Sequence, residues 1–117
     1  MKESIIKDKS YAFALRIILL ARWLRERKEY DLASQVLRSG TGIGANVEEA
    51  LAGVSRAGFV ARMAVASKEA RETHYWLRLL RDSRTVPLAK ITPLSDECLA
   101  LVRILTAIVK TGQGKWS

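Results

Sequence analysis

Helix breakers are confined to one short stretch of this chain: Pro87 and Pro93 are the only prolines among its 117 residues. Nothing upstream of Pro87 carries the ring that removes an amide donor and clashes with the preceding turn. Over that span apolar residues recur at spacings of three and four, the period of a helix with one buried face. No alternation of the strand kind, internal repeat or low-complexity run interrupts them. The expected fold is therefore all-α, an antiparallel up-down four-helix bundle, with residues 1–117 forming one domain around one core.

The first helix is expected from Asp8 or Ser10, both good N-caps, to about Lys28. Phe13, Ile17, Leu20, Ala21 and Leu24 form one stripe on it. Tyr11, Leu15, Ile18 and Leu19 form another, roughly opposite. A peripheral bundle helix needs one apolar face. The second stripe means either a deeply buried helix or a second subunit, and the charged sectors set by Arg16, Arg22, Arg25 and Arg27 favour the subunit.

The second helix opens at Asp31, and Leu32, Val36, Gly40, Ile43, Val47 and Leu51 line its inner face. Its period runs through Gly40, Gly42 and Gly44, each costing about 1 kcal/mol relative to alanine in a helix interior. A kink or a close helix approach would account for them. A phosphate-binding loop would not, because such loops follow a strand and open a helix. Gly53 and Ser55 mark the next break, as C-cap and N-cap. The third helix then carries Phe59, Met63, Ala66, Ala70, Thr73, Leu77 and Leu80 inward and ends near Arg84. Asp82–Pro93 reads as a loop, and the last helix is expected to begin with Thr92 as N-cap and Pro93 at the first position. It should stop at Gly112, with Leu94, Cys98, Leu101, Val102, Leu105, Ile108 and Val109 inward and Arg103 and Lys110 opposite.

Composition narrows the function classes. Twenty Lys and Arg against 12 Asp and Glu give a formal net charge of +8, which favours anionic partners such as RNA or DNA. The single Cys98 makes no internal disulfide and reads as a small buried side chain. With no secretory signal apparent, a cytoplasmic location is expected. The most apolar run, Tyr11 to Leu24, is short and interrupted by Arg16 and Arg22, so no membrane span is expected.

Catalysis needs a nucleophile paired with a base, or a metal cluster, and His74 is the only histidine. Di-iron bundles use Glu-x-x-His pairs on two helices, whereas Glu72 and His74 are two apart and no second pair exists. Glu69 and Glu72 share a face with Val65, Trp76 and Leu79 and read as the polar rim of a contact patch. No catalytic residue, metal or cofactor is expected. The other flank differs: Lys68, Arg71, Tyr75 and Arg78 follow at spacings of three or four, with His74 and Arg81 adjoining. Such a ridge suits phosphates and a stacked base. It equally suits a solvated face whose arginines pair with carboxylates of a neighbouring helix.

The stretches Leu37-Arg38-Ser39-Gly40-Thr41-Gly42-Ile43-Gly44-Ala45-Asn46 and Lys68-Glu69-Ala70-Arg71-Glu72-Thr73-His74-Tyr75-Trp76-Leu77 resemble the bacterial four-helix-bundle family linked to intervening sequences of large-subunit ribosomal RNA genes. The resemblance extends over nearly the whole chain, to Ala107-Ile108-Val109-Lys110-Thr111. It implies a bundle, homo-oligomers including pentameric rings, and no established enzymatic activity. Related bundles are accessory proteins of diversity-generating retroelements, which implies RNA and a reverse transcriptase as partners. The chain departs from the family pattern at Gly42, usually Ser, at His74 and Arg78, usually acidic, and at Glu48, usually basic.

Together these readings predict a non-enzymatic homo-oligomer that binds nucleic acid through Lys68, Arg71, Tyr75, Arg78 and Arg81. Its subunits would meet through Tyr11, Leu15, Ile18, Leu19, Val65, Trp76 and Leu79. The alternative is a protein-interaction scaffold that uses the apolar patch and binds no nucleic acid.

Overall fold

The computed structural model describes residues 2–114; Met1 and 115–117 of the expected domain lie outside the described residues. Four helices account for nearly all of it: α1 (Lys2–Glu26), α2 (Tyr30–Ala52), α3 (Arg56–Asp82) and α4 (Leu88–Gly112). The linkers are too short for anything but antiparallel neighbours. α1 packs on α2, α2 on α3 and α3 on α4, and α4 closes more loosely on α1; the diagonal pairs, α1 with α3 and α2 with α4, bring no Cα atoms within 8 Å among the described residues and meet only through core side chains. The result is an elongated bundle of 48 × 23 × 21 Å.

The predicted inner stripes form the core. Phe13, Ile17, Leu20 and Leu24 of α1 meet Val36, Ile43 and Val47 of α2, Met63, Leu77 and Leu80 of α3, and Leu101 and Leu105 of α4. All are essentially inaccessible to solvent. Each buried side chain of this size contributes about 1.5–3 kcal/mol, against the chain entropy lost on folding. The period through the three glycines is explained by close approach, since α2 continues unbroken across them. A Cβ on Gly40 would lie 2.8 Å from Ile17 Cγ2, and one on Gly44 would lie 3.4 Å from the Ser10 carbonyl oxygen. Where α2 meets α3, the Ser39 and Thr73 hydroxyls lie 2.9 Å apart inside the core, a polar pair that apolar periodicity does not reveal.

Four boundaries differ from expectation by two residues or more, one of them the end of α1 at Glu26 in place of Lys28. α1 begins at Lys2 rather than at Asp8 or Ser10; Ser10 is buried within the helix and its hydroxyl donates to the Lys7 carbonyl at 3.2 Å. Burial of Ile6 supplies the reason, because an earlier turn hides another apolar side chain. α3 ends at Asp82, two residues before Arg84. α4 begins at Leu88, so Thr92 is no N-cap and Pro93 lies inside the helix. The Pro87 carbonyl accepts from the Lys90 and Ile91 amides, both at 3.0 Å, and starts the helix instead. Burying Ile91 and Val86 offsets the hydrogen bond Pro93 cannot donate, and the Ala89 carbonyl left without it sits on an exposed residue. Ser55 does cap α3, its hydroxyl accepting the Gly58 amide at 3.0 Å, and α2 ends against Gly53.

Cys98 lies in the core with its thiol donating to the Ala70 carbonyl at 3.3 Å. Burial, with the Glu97 charge beside it, pushes the thiol pKa up to about 12, so almost no thiolate exists at neutral pH. A thiol-reactive disulfide reagent should therefore leave the native protein unlabelled for hours and modify one cysteine promptly in denaturant. Rapid labelling of the native protein would contradict this packing.

Candidate nucleic-acid interface

The two flanks of α3 face different neighbours, and this decides what each can do. The acidic flank lies against α2. Arg38 reaches across to Glu72 in a short ion pair and to Glu69 at 3.6 Å, while the Trp76 indole N–H donates to Glu72 at 3.1 Å. Both carboxylates are thus occupied within the chain. Among the described residues no group of three or more His, Cys, Asp and Glu is placed to hold a metal ion.

The basic flank lies along the seam with α4. Lys68, Arg71, Tyr75 and Arg78 are exposed there, and none of the three cations is ion-paired among the described residues. Arg71 donates to the Thr106 hydroxyl of α4 at 3.4 Å, and the Arg78 guanidinium lies 5.8 Å from the Tyr75 ring centroid. Tyr75 is 47 % exposed, leaving ring surface free for stacking, although it also makes an edge-on contact with Trp76 at 5.3 Å. Between the helices runs an open groove of about 340 Å³ whose walls include Lys68, Arg71, Thr106 and Lys110. The period of α4 alone sets Lys110 on the outer face. The packing of α4 against α3 brings it to the groove instead, and a one-helix period holds no such information. The fifth predicted contact behaves differently: Arg81 is half-buried and bound to the carboxylate of Asp82 at 2.7 Å. Its guanidinium holds the Asp82 carboxyl below the usual range, and part of its charge is spent locally.

His74 sits between the ridge and the core. Burial, then the charges of Arg78 and Arg81, hold its pKa below the ordinary histidine value of 6.5. The unfolded chain consequently binds more protons than the native one between 6.5 and that depressed value. Stability is full above pH 6.5 and declines as the pH falls through the window. Denaturant midpoints at pH 7.5 and pH 5 should differ less in His74→Gln than in the parent; an equal difference would rule His74 out as a source.

The residues predicted for subunit contact fall into two separate patches. Tyr11, Leu15 and Leu19 are 60, 51 and 61 % exposed on the outer face of α1, with Ile18 half-buried beside them. Val65 and Leu79 are exposed on α3, and Trp76 is partly buried against the core. The patches therefore lie on two helices that are not packed side by side. Among the described residues no helix is long and apolar enough to cross a membrane.

Comparison with known proteins places these features in a family. A family model described as 23S rRNA-intervening sequence protein matches residues 2–107. A crystal structure of a protein of unknown function from the S23 ribosomal protein family, from Bacteroides thetaiotaomicron, is similar over the whole fold. It is 40 % identical, with a TM-score of 0.89 over 94 % of this chain and 99 % of that one. No curated protein matches the chain.

Proposed function

The chain belongs to the family of 23S rRNA-intervening sequence proteins, and from that premise we propose that it is a non-enzymatic, homo-oligomeric nucleic-acid-binding accessory protein. The observation that carries the reading is the groove between α3 and α4, where Lys68, Arg71 and Lys110 converge with no carboxylate partner among the described residues. Cations left unpaired beside a cleft are free to replace the counterions of a phosphate backbone. Tyr75 and Arg78 extend the track along α3, where a base can stack on the exposed ring beside a cation. Structured RNA is the favoured ligand, with duplex DNA the comparison, and a reverse transcriptase is a partner only by family resemblance.

Assembly follows from the apolar patches. A two-fold contact in which the α1 patch meets its own copy, or the α3 patch its own copy, leaves the other patch uncovered. A head-to-tail contact of α1 on the next subunit's α3 covers both, and the pentameric rings that the family resemblance implies are the closed form of such a contact. Fluorescence anisotropy with structured RNA and duplex DNA across a salt series tests binding. Tight association at low salt that weakens linearly in log salt is expected, and absence of binding at low salt would overturn the assignment. Light scattering tests assembly, and a 13.1 kDa particle at micromolar concentration would overturn the ring. The exposed patches favour the scaffold reading in one event: nuclease-treated preparations that retain a single protein partner and no affinity for RNA.

A further inference from the structure

We propose that the pole of the bundle where α1 and α3 end is a separate site for a phosphorylated nucleotide. Here a cavity of about 820 Å³ opens between the last turn of α1, the last turn of α3 and the loop into α4. Trp23 forms one wall, Val86 and Pro87 another, and Arg27, Arg81 and Arg84 bring positive charge. The size suits a small organic ligand, and the lining combines an aromatic platform, an apolar wall and cations.

The charges are not equivalent. Arg81 is bound to Asp82, the one carboxylate lining the cavity, so these two largely cancel. Arg27 lies over the Trp23 ring with its guanidinium carbon 3.6 Å from the centroid and pairs with the exposed Glu26 carboxylate at 3.9 Å, and Lys90 approaches the same ring at 5.4 Å. Arg84 makes no ion pair among the described residues. The tryptophan thus has cations about it, with Arg27 stacked on its ring, and the surroundings take a planar group together with its phosphate: the base beside the Trp23–Arg27 stack and against Pro87, the anion toward Arg84.

Backbone conformation supplies an independent observation. Both helix ends at this pole close with a basic residue in the left-handed region, Lys28 at φ 65° and Arg84 at φ 60°. Glycine adopts that conformation without the Cβ penalty and is the usual choice there. Favourable placement of cations beside helix carboxyl ends accounts for Arg25, Arg27 and Arg81, which need no such strain. It does not account for a long cationic side chain on the strained residue itself, which in the case of Arg84 lines a cavity with a tryptophan wall. Strain of this kind points to a retained function for the side chain.

A free nucleotide and the phosphorylated end of a strand present the same chemistry, and the test separates them. In a Trp76→Phe/Trp116→Phe protein only Trp23 emits, and its quenching is followed on titration with adenosine monophosphate, adenosine, and adenosine oligonucleotides bearing a 5′-phosphate or a 5′-hydroxyl. Saturable quenching by the monophosphate at least ten-fold tighter than by adenosine assigns the site to free nucleotides as well as strand ends. Quenching confined to the 5′-phosphorylated oligonucleotide assigns it to strand ends. Arg84→Gly in the same background is expected to raise the thermal midpoint by relieving strain while weakening the monophosphate or the 5′-phosphorylated strand about ten-fold. Equal quenching with and without phosphate, no saturation by any ligand, or unchanged affinity in Arg84→Gly would overturn the proposal. Because the signal comes from the pole, it is independent of whether the α3–α4 groove binds RNA.

Discussion

Gly40→Val is expected to destabilise the bundle by about 3 kcal/mol or more, the upper end of what overpacking costs. The first added carbon alone would stand 2.8 and 2.9 Å from the two γ-carbons of Ile17 and 3.2 Å from its Cβ. Those atoms belong to a branched, fully buried side chain with no free rotamer to retreat into. Relief therefore means separating α1 from α2, which opens the seam that also holds Gly44 within van der Waals range of Ser10. For a domain whose total stability is of order 5–15 kcal/mol, that is a large share. The cause is checked by a double-mutant cycle in chemical denaturation. Gly40→Ala should cost about 1–2 kcal/mol less in an Ile17→Ala background than in the parent, because the atoms it collides with are gone. Additive effects would show that the glycine is needed for some reason other than Ile17. Gly42→Ala is the control on the same helix. The three atoms nearest its Cβ all belong to the Glu69 side chain, whose carboxylate end can swing at the cost of its 3.6 Å contact with Arg38, and alanine's helix propensity returns about 1 kcal/mol. It should be neutral or stabilising.

That contrast shows where sequence reading succeeds and where it stops. Three glycines in a helical period announce a weak or crowded helix, and the sequence offers a kink or a close approach equally. Choosing needs the partner: Ile17 faces Gly40, whereas Gly42 faces the end of a flexible glutamate. The inner stripes were legible because a helix with one buried face writes itself at spacings of three and four. The second stripe of α1 was legible for the same reason, and Tyr11, Leu15 and Leu19 do stand exposed. The start of α4 was not. Local rules place Pro93 at the first helical turn, but burial of Ile91 is a tertiary gain that outweighs a local preference.

The candidate site divides in the same way. Lys68, Arg71 and Arg78 could be grouped from α3 alone because they share one flank. That Arg81 would be tied to Asp82, its chain neighbour, could have been read from adjacency, and the opposite-charge pair was the signal missed. That Glu69 and Glu72 are held by Arg38, and that Lys110 joins the ridge, depends on the rotation of α2 and α4 about their own axes. Trp23 and Arg84 lie 61 residues apart in sequence and meet only because two antiparallel turns return the chain to the same pole.

Replacing Lys68, Arg71 and Lys110 together by alanine should weaken binding to structured RNA about 100-fold at moderate salt, on the basis of about 1 kcal/mol for each cation withdrawn from a phosphate. The slope of log affinity against log salt should fall by about 2–3, since each cation removed releases one counterion fewer. In an assembly the loss is repeated on every subunit, so an avid complex should fall further than a monomeric one. The obvious objection is that any basic protein loses affinity when its net charge of +8 is reduced. Lys7→Ala/Lys9→Ala/Arg25→Ala removes the same charge from exposed positions on α1 and answers it. If the α3–α4 groove is where phosphates sit, the groove variant loses affinity and slope while the α1 variant keeps nearly all of both. Equal losses would mean that RNA responds to the long-range field of the molecule, and the groove would lose its claim. Lys68, Arg71 and Lys110 make no ion pair among the described residues and do not belong to the core, so the substitutions leave the bundle folded, which circular dichroism verifies. A deficit in binding then reports on the surface alone.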